Sequence, residues 1–242
     1  MGSNPTDDIN ILLLYLFKDF LFNLNMIKLT YFNIEGLAEK IRLALKIGKC
    51  EFEDVRINFN EWCDIKDKTP YGQLPMININ GESEPIAQSG AILRYIGKKT
   101  NMYPDDALKA LYIDELISLQ EDMSAIIGIS IYISMKPEKY GYPLDLADED
   151  KKIIQQYLRK NLANEDNDLH KLLNIVNNKL NKKKFFTGDT PTIADCAFLP
   201  LFRQLRSGRL DYLPTNILDK YTNICNFEYN MMNIPEVISH YS

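Results

Sequence analysis

Between Met26 and Leu45 the chain changes its hydrophobic period, and this change narrows the available folds more than any other feature. Ile27, Leu29 and Tyr31 alternate with Lys28 and Thr30, the two-residue period of a half-buried strand. Asn33 and Gly36 interrupt the pattern. From Ala38 the apolar residues Ala38, Ile41, Leu43, Ala44, Leu45 and Ile47 fall nearer to helical spacing, with Glu39 in the first turn. A strand that stops at an aromatic hydroxyl and turns into a helix sets that hydroxyl beside a helix N-terminus, where N–H groups and the helix dipole favour negative charge. Two readings of Tyr31 stand on this stretch alone: a donor to an anion held at the junction, or a packed aromatic among 14 tyrosines.

Downstream, Glu51–Phe59 alternates loosely and predicts a second strand, and Asn60–Lys66, with the only tryptophan, predicts a short helix or turn. Thr69–Gln73 predicts a turn, followed by Pro75 and a strand from Met76 to Ile79. Asn80–Gly81 is a hairpin signal leading to a short strand near Pro85–Ala87. Ser89 is placed to cap a helix running through Ala91–Ile96. This order describes a small α/β domain with a mixed sheet. Thr100–Asp106, with Pro104, reads as a linker, and beyond it the apolar residues keep helical spacing: Leu108–Ile127 in one long run, then Ile153–Val176 with an interruption at 164–168. Thr192 and Asp195 form a capping box before a further helix. The expected organisation is an extension at 1–25 outside the fold, an α/β domain at 26–103 and an all-helical domain at 104–242.

Charge and residue usage remove several functions. A net charge of −5, with Lys182–Lys184 as the densest basic run, argues against nucleic acid as a partner. Four cysteines (Cys50, Cys63, Cys196, Cys225) lie far apart without zinc spacing and suit a reducing, cytoplasmic compartment. Two histidines leave no His-rich metal site, so the expected metal complement is none, and the helical or terminal context of His170 and His240 argues against a Ser–His–Asp triad. Residues 1–25 hold an apolar run too short and too interrupted by Lys18–Asp19 for a membrane helix; an appended leader, a membrane-touching amphipathic helix and lipidation at Gly2 are the open readings.

Three features of the α/β half converge on one chemistry. Proline cannot donate to a ladder, and a cis Leu74–Pro75 bond at a strand entrance leaves the Leu74 backbone free to pair with an extended peptide. Gln88 and Ser89 offer an amide, a hydroxyl and a helix N-terminus to a carboxylate. Trp62 and Lys66 lie one helical turn apart, an indole N–H and an ammonium on one face. These donors suit a small acidic peptide, with the Tyr31 hydroxyl at the far end.

The segments LTYFNIEGLAEKIR, YGQLP and AQSGAILRYI, with GDTPTIAD in the helical half, resemble the cytosolic glutathione S-transferases in order and spacing, and are most similar to the sigma class. The resemblance spans roughly residues 26–242. It implies a thioredoxin-like N-terminal domain with a mixed four-stranded sheet, a C-terminal helical bundle, and a homodimer with Tyr71 as an aromatic key. Glutathione is the implied co-substrate, with no resident cofactor. Tyr31 is then the hydroxyl that activates the glutathione sulfur, and Trp62 and Lys66 hold the glycyl end. Gln73, Leu74 and Pro75 belong to the segment pairing with the cysteinyl backbone, and Gln88 and Ser89 hold the γ-glutamyl carboxylate. The implied activity is conjugation of glutathione to hydrophobic electrophiles, with peroxidase or isomerase side activity open; the alternative is a non-catalytic ligand-binding or structural relative. Met123, Tyr132 and Tyr140 are candidates for the co-substrate pocket, with core packing the alternative for Met123. Two positions depart from the family pattern. Leu37 stands where an arginine is common, and Ser118 where an acid reaching across the dimer is expected.

Overall fold

A computed structural model of the chain describes residues 26–79 and 84–242. The leader and the Asn80–Gly81 turn lie outside the described residues. The N-terminal half is a four-stranded sheet in the order β2-β1-β3-β4. Strand β1 (Ile27–Phe32) is central, because its alternating Ile27 and Leu29 are fully buried and Tyr31 is nearly so. It pairs in parallel with β2 (Phe52–Ile57) and antiparallel with β3 (Met76–Ile79), which pairs antiparallel with β4 (Ile86–Ala87). The mixed sheet is therefore as expected, with β2 trimmed at both ends.

Helix α1 (Glu39–Ile47) connects β1 to β2 and is buried along almost its whole length. Trp62–Ile65 forms a single turn, α2, continued by a 3-10 turn at Lys66–Lys68. Helix α3 spans Ser89–Lys99, two residues before the apolar run at Ala91 and one residue before a start capped by Ser89. This corrects the expectation for Ser89: the N-cap is Gln88, and no side-chain cap bond forms. Ser89 is already helical, so its hydroxyl does not close the first turn.

The second half is helical. Helix α4 (Ala107–Tyr132) starts where the Asp106 carboxylate accepts from the Lys109 N–H at 2.8 Å. The interruption at 164–168 separates α5 (Asp148–Leu162) from α6 (Asp168–Lys179), and Asn167 caps the latter. Helix α7 (Ile193–Arg206) buries ten of its residues, packs against α1 and α4, and is followed by α8 (Thr222–Met232) and α9 (Pro235–Tyr241). The Thr192–Asp195 capping box is present. Met123 is fully buried, so core packing is its role.

The two halves are joined by polar pins over an apolar seam. Arg94 of α3 donates to Asp114 of α4 at 2.8 Å, and the same carboxylate accepts from the Tyr103 hydroxyl at 2.8 Å. Helix α9 lies against α1, carrying the C-terminus back to the sheet domain. Among the described residues no helix is long and apolar enough to cross a membrane. All four cysteines are free.

Candidate active site

The sheet register brings the expected residues to one end. Thr30 faces Met76 and Met76 faces Ala87, so continuing both antiparallel ladders by one residue sets Tyr31 level with Pro75, and Pro75 level with Gln88. One further step sets Leu74 level with Ser89. The chain leaves the ladder there, since β3 begins only at Met76 and the Leu74–Pro75 bond is cis, as expected. Pro75 is buried, Leu74 and Ser89 are half-buried, and Gln73 and Gln88 are exposed.

Gln88 holds a backbone conformation that side chains seldom adopt, φ 78° and ψ 100°. Such positions cost on the order of 1–3 kcal/mol and collect at functional sites. The turn directs the Gln88 carboxamide outward, and the first N–H groups of α3 follow immediately. On the other flank, the Trp62 ring meets the Phe32 ring edge-on at 5.4 Å, and Phe32 stacks on Phe59 at 4.6 Å. The Lys66 stem passes over Gly72, where an added Cβ would sit 3.5 Å from Lys66 Cε. Lys66 therefore borders the turn that leads into Gln73, while Trp62 packs at the end of β1.

Tyr31 is 5% exposed, and its hydroxyl oxygen accepts the Leu37 N–H at 3.1 Å. Its own O–H is left to donate. Burial pushes the Tyr31 pKa above its ordinary value of 10.0, with the Leu37 N–H opposing, so the phenol keeps its proton at neutral pH. The turn over this hydroxyl requires Gly36: its φ is +47°, and a Cβ there would lie 2.6 Å from the Tyr31 hydroxyl oxygen. We expect Gly36→Ala to lose about 1–2 kcal/mol of stability from left-handed backbone alone, and to lower catalytic turnover more steeply by moving the tyrosine. A thermal melt with a parallel activity assay checks this; unchanged activity in a folded variant would remove Gly36 from the site.

The turn is fixed from below by Arg42, which is fully buried. Its Nε donates to both oxygens of Asp54 at 3.1 Å, and Nη1 donates to the Ile34 and Glu35 carbonyls at 2.8 and 3.2 Å and to Glu39 at 3.1 Å. Glu39 in turn meets His240 of α9 at 2.7 Å. Burial works against the Glu39 carboxylate, yet His240 and Arg42 together hold its pKa below the usual value. The sequence reading did not single out Arg42. Its position three and four residues from Glu39 and Ala38, on the apolar face of α1, was the available signal.

A cavity of about 440 Å³ adjoins the same turn, between Glu35–Leu37, α4 and α7. Tyr132 lines it, and Tyr140 lies near Tyr132. Trp62, Lys66, Gln73, Leu74, Gln88 and Ser89 are not part of this cavity. They surround the open end of the sheet instead. Leu37 belongs to both places, with its N–H on Tyr31 and its side chain 45% exposed at the cavity. Among the described residues no group of three or more His, Cys, Asp or Glu side chains is arranged to hold a metal.

Residues 27–98 match the glutathione S-transferase N-terminal domain, and residues 123–235 match the C-terminal domain of the same family. The chain is 31% identical over 210 residues to glutathione S-transferase 2 of Onchocerca volvulus, covering 87% of this chain and 89% of that one. It belongs to the glutathione S-transferase family. A glutathione S-transferase of Anopheles gambiae is 29% identical over 202 residues, covering 81% of this chain and 86% of that one. The structure of prostaglandin synthase D of Nilaparvata lugens superposes with a TM-score of 0.69 at 27% identity, covering 89% of this chain and 96% of that one. The family assignment agrees with the thioredoxin-like sheet domain and helical second half described above.

Proposed function

We propose that this glutathione S-transferase binds glutathione at the C-terminal end of β1 and conjugates its thiolate to hydrophobic electrophiles, with Tyr31 donating to the sulfur. The observation that carries the proposal is the Tyr31 hydroxyl, whose oxygen is occupied by the Leu37 N–H while its proton is available. A second donor behind the first polarises the O–H and aims it outward. Around it, Gln88, Ser89 and the α3 N-terminus receive the γ-glutamyl carboxylate, and Gln73 and Leu74 beside Pro75 receive the cysteinyl backbone. Trp62 and Lys66 receive the glycyl end. Glutathione is a co-substrate in this scheme and no further cofactor takes part.

The energetics are adequate. A free thiol ionises near pH 8.5. Lowering that by about two units requires favouring the thiolate by roughly 2.7 kcal/mol, within the range of hydrogen bonds to a charged group, about 1.5–3 kcal/mol. The sulfur then attacks an electrophilic carbon seated in the adjoining cavity, where Leu37 and Tyr132 supply apolar and aromatic walls.

The tyrosine type and the LTYFN context support placement near the sigma class. Tyr71, 78% exposed at a positive-φ turn, supports a homodimer in which it enters a partner. Leu108, Leu111 and Tyr112 add an exposed apolar strip on α4. Four free cysteines fit a cytoplasmic protein. The break between α3 and α4 supports a domain division near residue 103.

The test is direct. Purified protein should conjugate glutathione to a generic aryl halide, and the bound thiol should show thiolate ultraviolet absorbance at neutral pH. Binding of glutathione without turnover or thiolate would favour a ligand-binding role, the reading that Leu37 in place of an arginine supports. Failure to bind glutathione would defeat both.

A further inference from the structure

The cavity beside Leu37 has a cationic corner that a purely hydrophobic co-substrate leaves unused. Arg203 of α7 is stacked on the Tyr241 ring at 3.6 Å, which fixes its plane but engages none of its N–H donors. Its Nη2 lies 3.5 Å from Glu35, its Nη1 reaches only the Met232 sulfur at 3.9 Å, and its buried Nε has no partner. Arg209 leans on the same Glu35 carboxylate at 3.1 Å. One acid therefore serves two guanidinium groups. Arg206, also on the cavity wall, differs: it is paired with both Asp219 and Glu228 and has no charge to spare. Gln120 also keeps hydrogen-bonding capacity at the cavity, but as an acceptor, which takes a donor rather than an anion. It is 8% exposed and lines the cavity, its Nε2 donates to Ser124, and its buried Oε1 has no partner. Groups of this kind are normally satisfied.

An occupant that satisfies this corner carries an anion of the size and planarity of a carboxylate, since a guanidinium matches that group with two parallel hydrogen bonds. The rest of the wall, including Leu37, Ile131 and Leu201, suits an apolar body. Glu35 is placed two residues before Leu37, so the cationic corner and the sulfur site share one turn. We propose that the cleft selects electrophiles bearing a carboxylate on an apolar chain, with the acid seated on Arg203, Arg209 as the second cation, and Glu35 as the counter-charge it displaces. The inference rests on the transferase reading and names the substrate class of that site. For an α,β-unsaturated ketone, the glutathione sulfur forms a bond to the β-carbon as the C=C pair moves into the enolate. The thiol proton ends on the α-carbon; no group leaves and nothing is oxidised.

The experiment compares a straight-chain enone ending in a carboxylate with its methyl ester, as a ratio of kcat/KM values on one enzyme preparation. The acid should be preferred by about tenfold or more, the value of one charge-assisted hydrogen bond. Arg203→Gln should bring the ratio close to one, with Arg203→Lys retaining part of it and Arg209→Gln lowering it less. A general loss of folding or turnover affects both substrates and cancels in the ratio. A wild-type ratio near one, or a preference surviving both Gln variants, overturns the proposal. Where neither enone nor the generic aryl halide reacts, the transferase reading has failed separately. Calorimetric binding of decanoate against methyl decanoate then decides the inference: decanoate binding weakened by Arg203→Gln supports it, and no preference for the acid overturns it.

Discussion

Tyr31→Phe is expected to lower kcat/KM for conjugation at least about tenfold, the lower bound for losing a hydrogen bond to an anion. The substitution removes one oxygen from a packed ring and leaves the Leu37 N–H without its acceptor. Its signature lies in the pH profile. In the wild type the rate should rise with the ionisation of bound glutathione, at a pH below the free-thiol value. Because burial raises the Tyr31 pKa, no descending limb from this group should appear below about pH 10. In the Phe variant the ascending limb should move towards pH ~8.5. A slower enzyme with an unmoved limb would mean that Tyr31 shapes the site without holding the sulfur.

Asp195→Ala is expected to be the most damaging single change to the fold. Asp195 is fully buried, and its carboxylate accepts from the Phe186 N–H at 2.9 Å, the Thr192 N–H at 2.6 Å and the Thr192 hydroxyl at 2.9 Å. Alanine would orphan two backbone donors in or near the core, each worth about 1–3 kcal/mol, and leave a void beneath α7. The turn at Phe186 would also lose its anchor, and Phe186 is packed on Phe198 and Phe227 at 4.5 and 5.2 Å. A total of about 3 kcal/mol or more corresponds to a Tm lower by roughly 6–12 °C for a chain of this size. Asp195→Asn keeps one acceptor oxygen and should lose less. A calorimetric scan measures both; an alanine variant within about 1 kcal/mol of wild type would show that water replaces the carboxylate.

Both residues were visible in the sequence, for different reasons. Tyr31 stood at the point where the period changes, and the Thr192–Asp195 spacing is a local motif that needs no tertiary information. The boundaries of β3 were equally plain, because proline marks one end. Ser89 was misread because capping was inferred from residue type alone, and the positive φ of Gln88 moved the helix start by one residue. Leu37 was read through its side chain as a missing arginine. The fold uses its backbone N–H, which every residue but proline supplies.

The sequence by itself determined most of the elements and singled out Tyr31 at the end of β1, since period, caps and proline act over a few neighbouring residues. Only the tertiary structure decided what surrounds that tyrosine. Arg42 binds the turn to Asp54 and Glu39, and Glu39 reaches His240 in the last helix. Arg209 meets Glu35 across 174 residues of chain. Such contacts leave no periodic trace, because each joins different elements: α1 to β2, α1 to α9, and the turn before α1 to the chain just beyond α7. Local signals mark Tyr31; the charged groups around its turn are assembled by the fold.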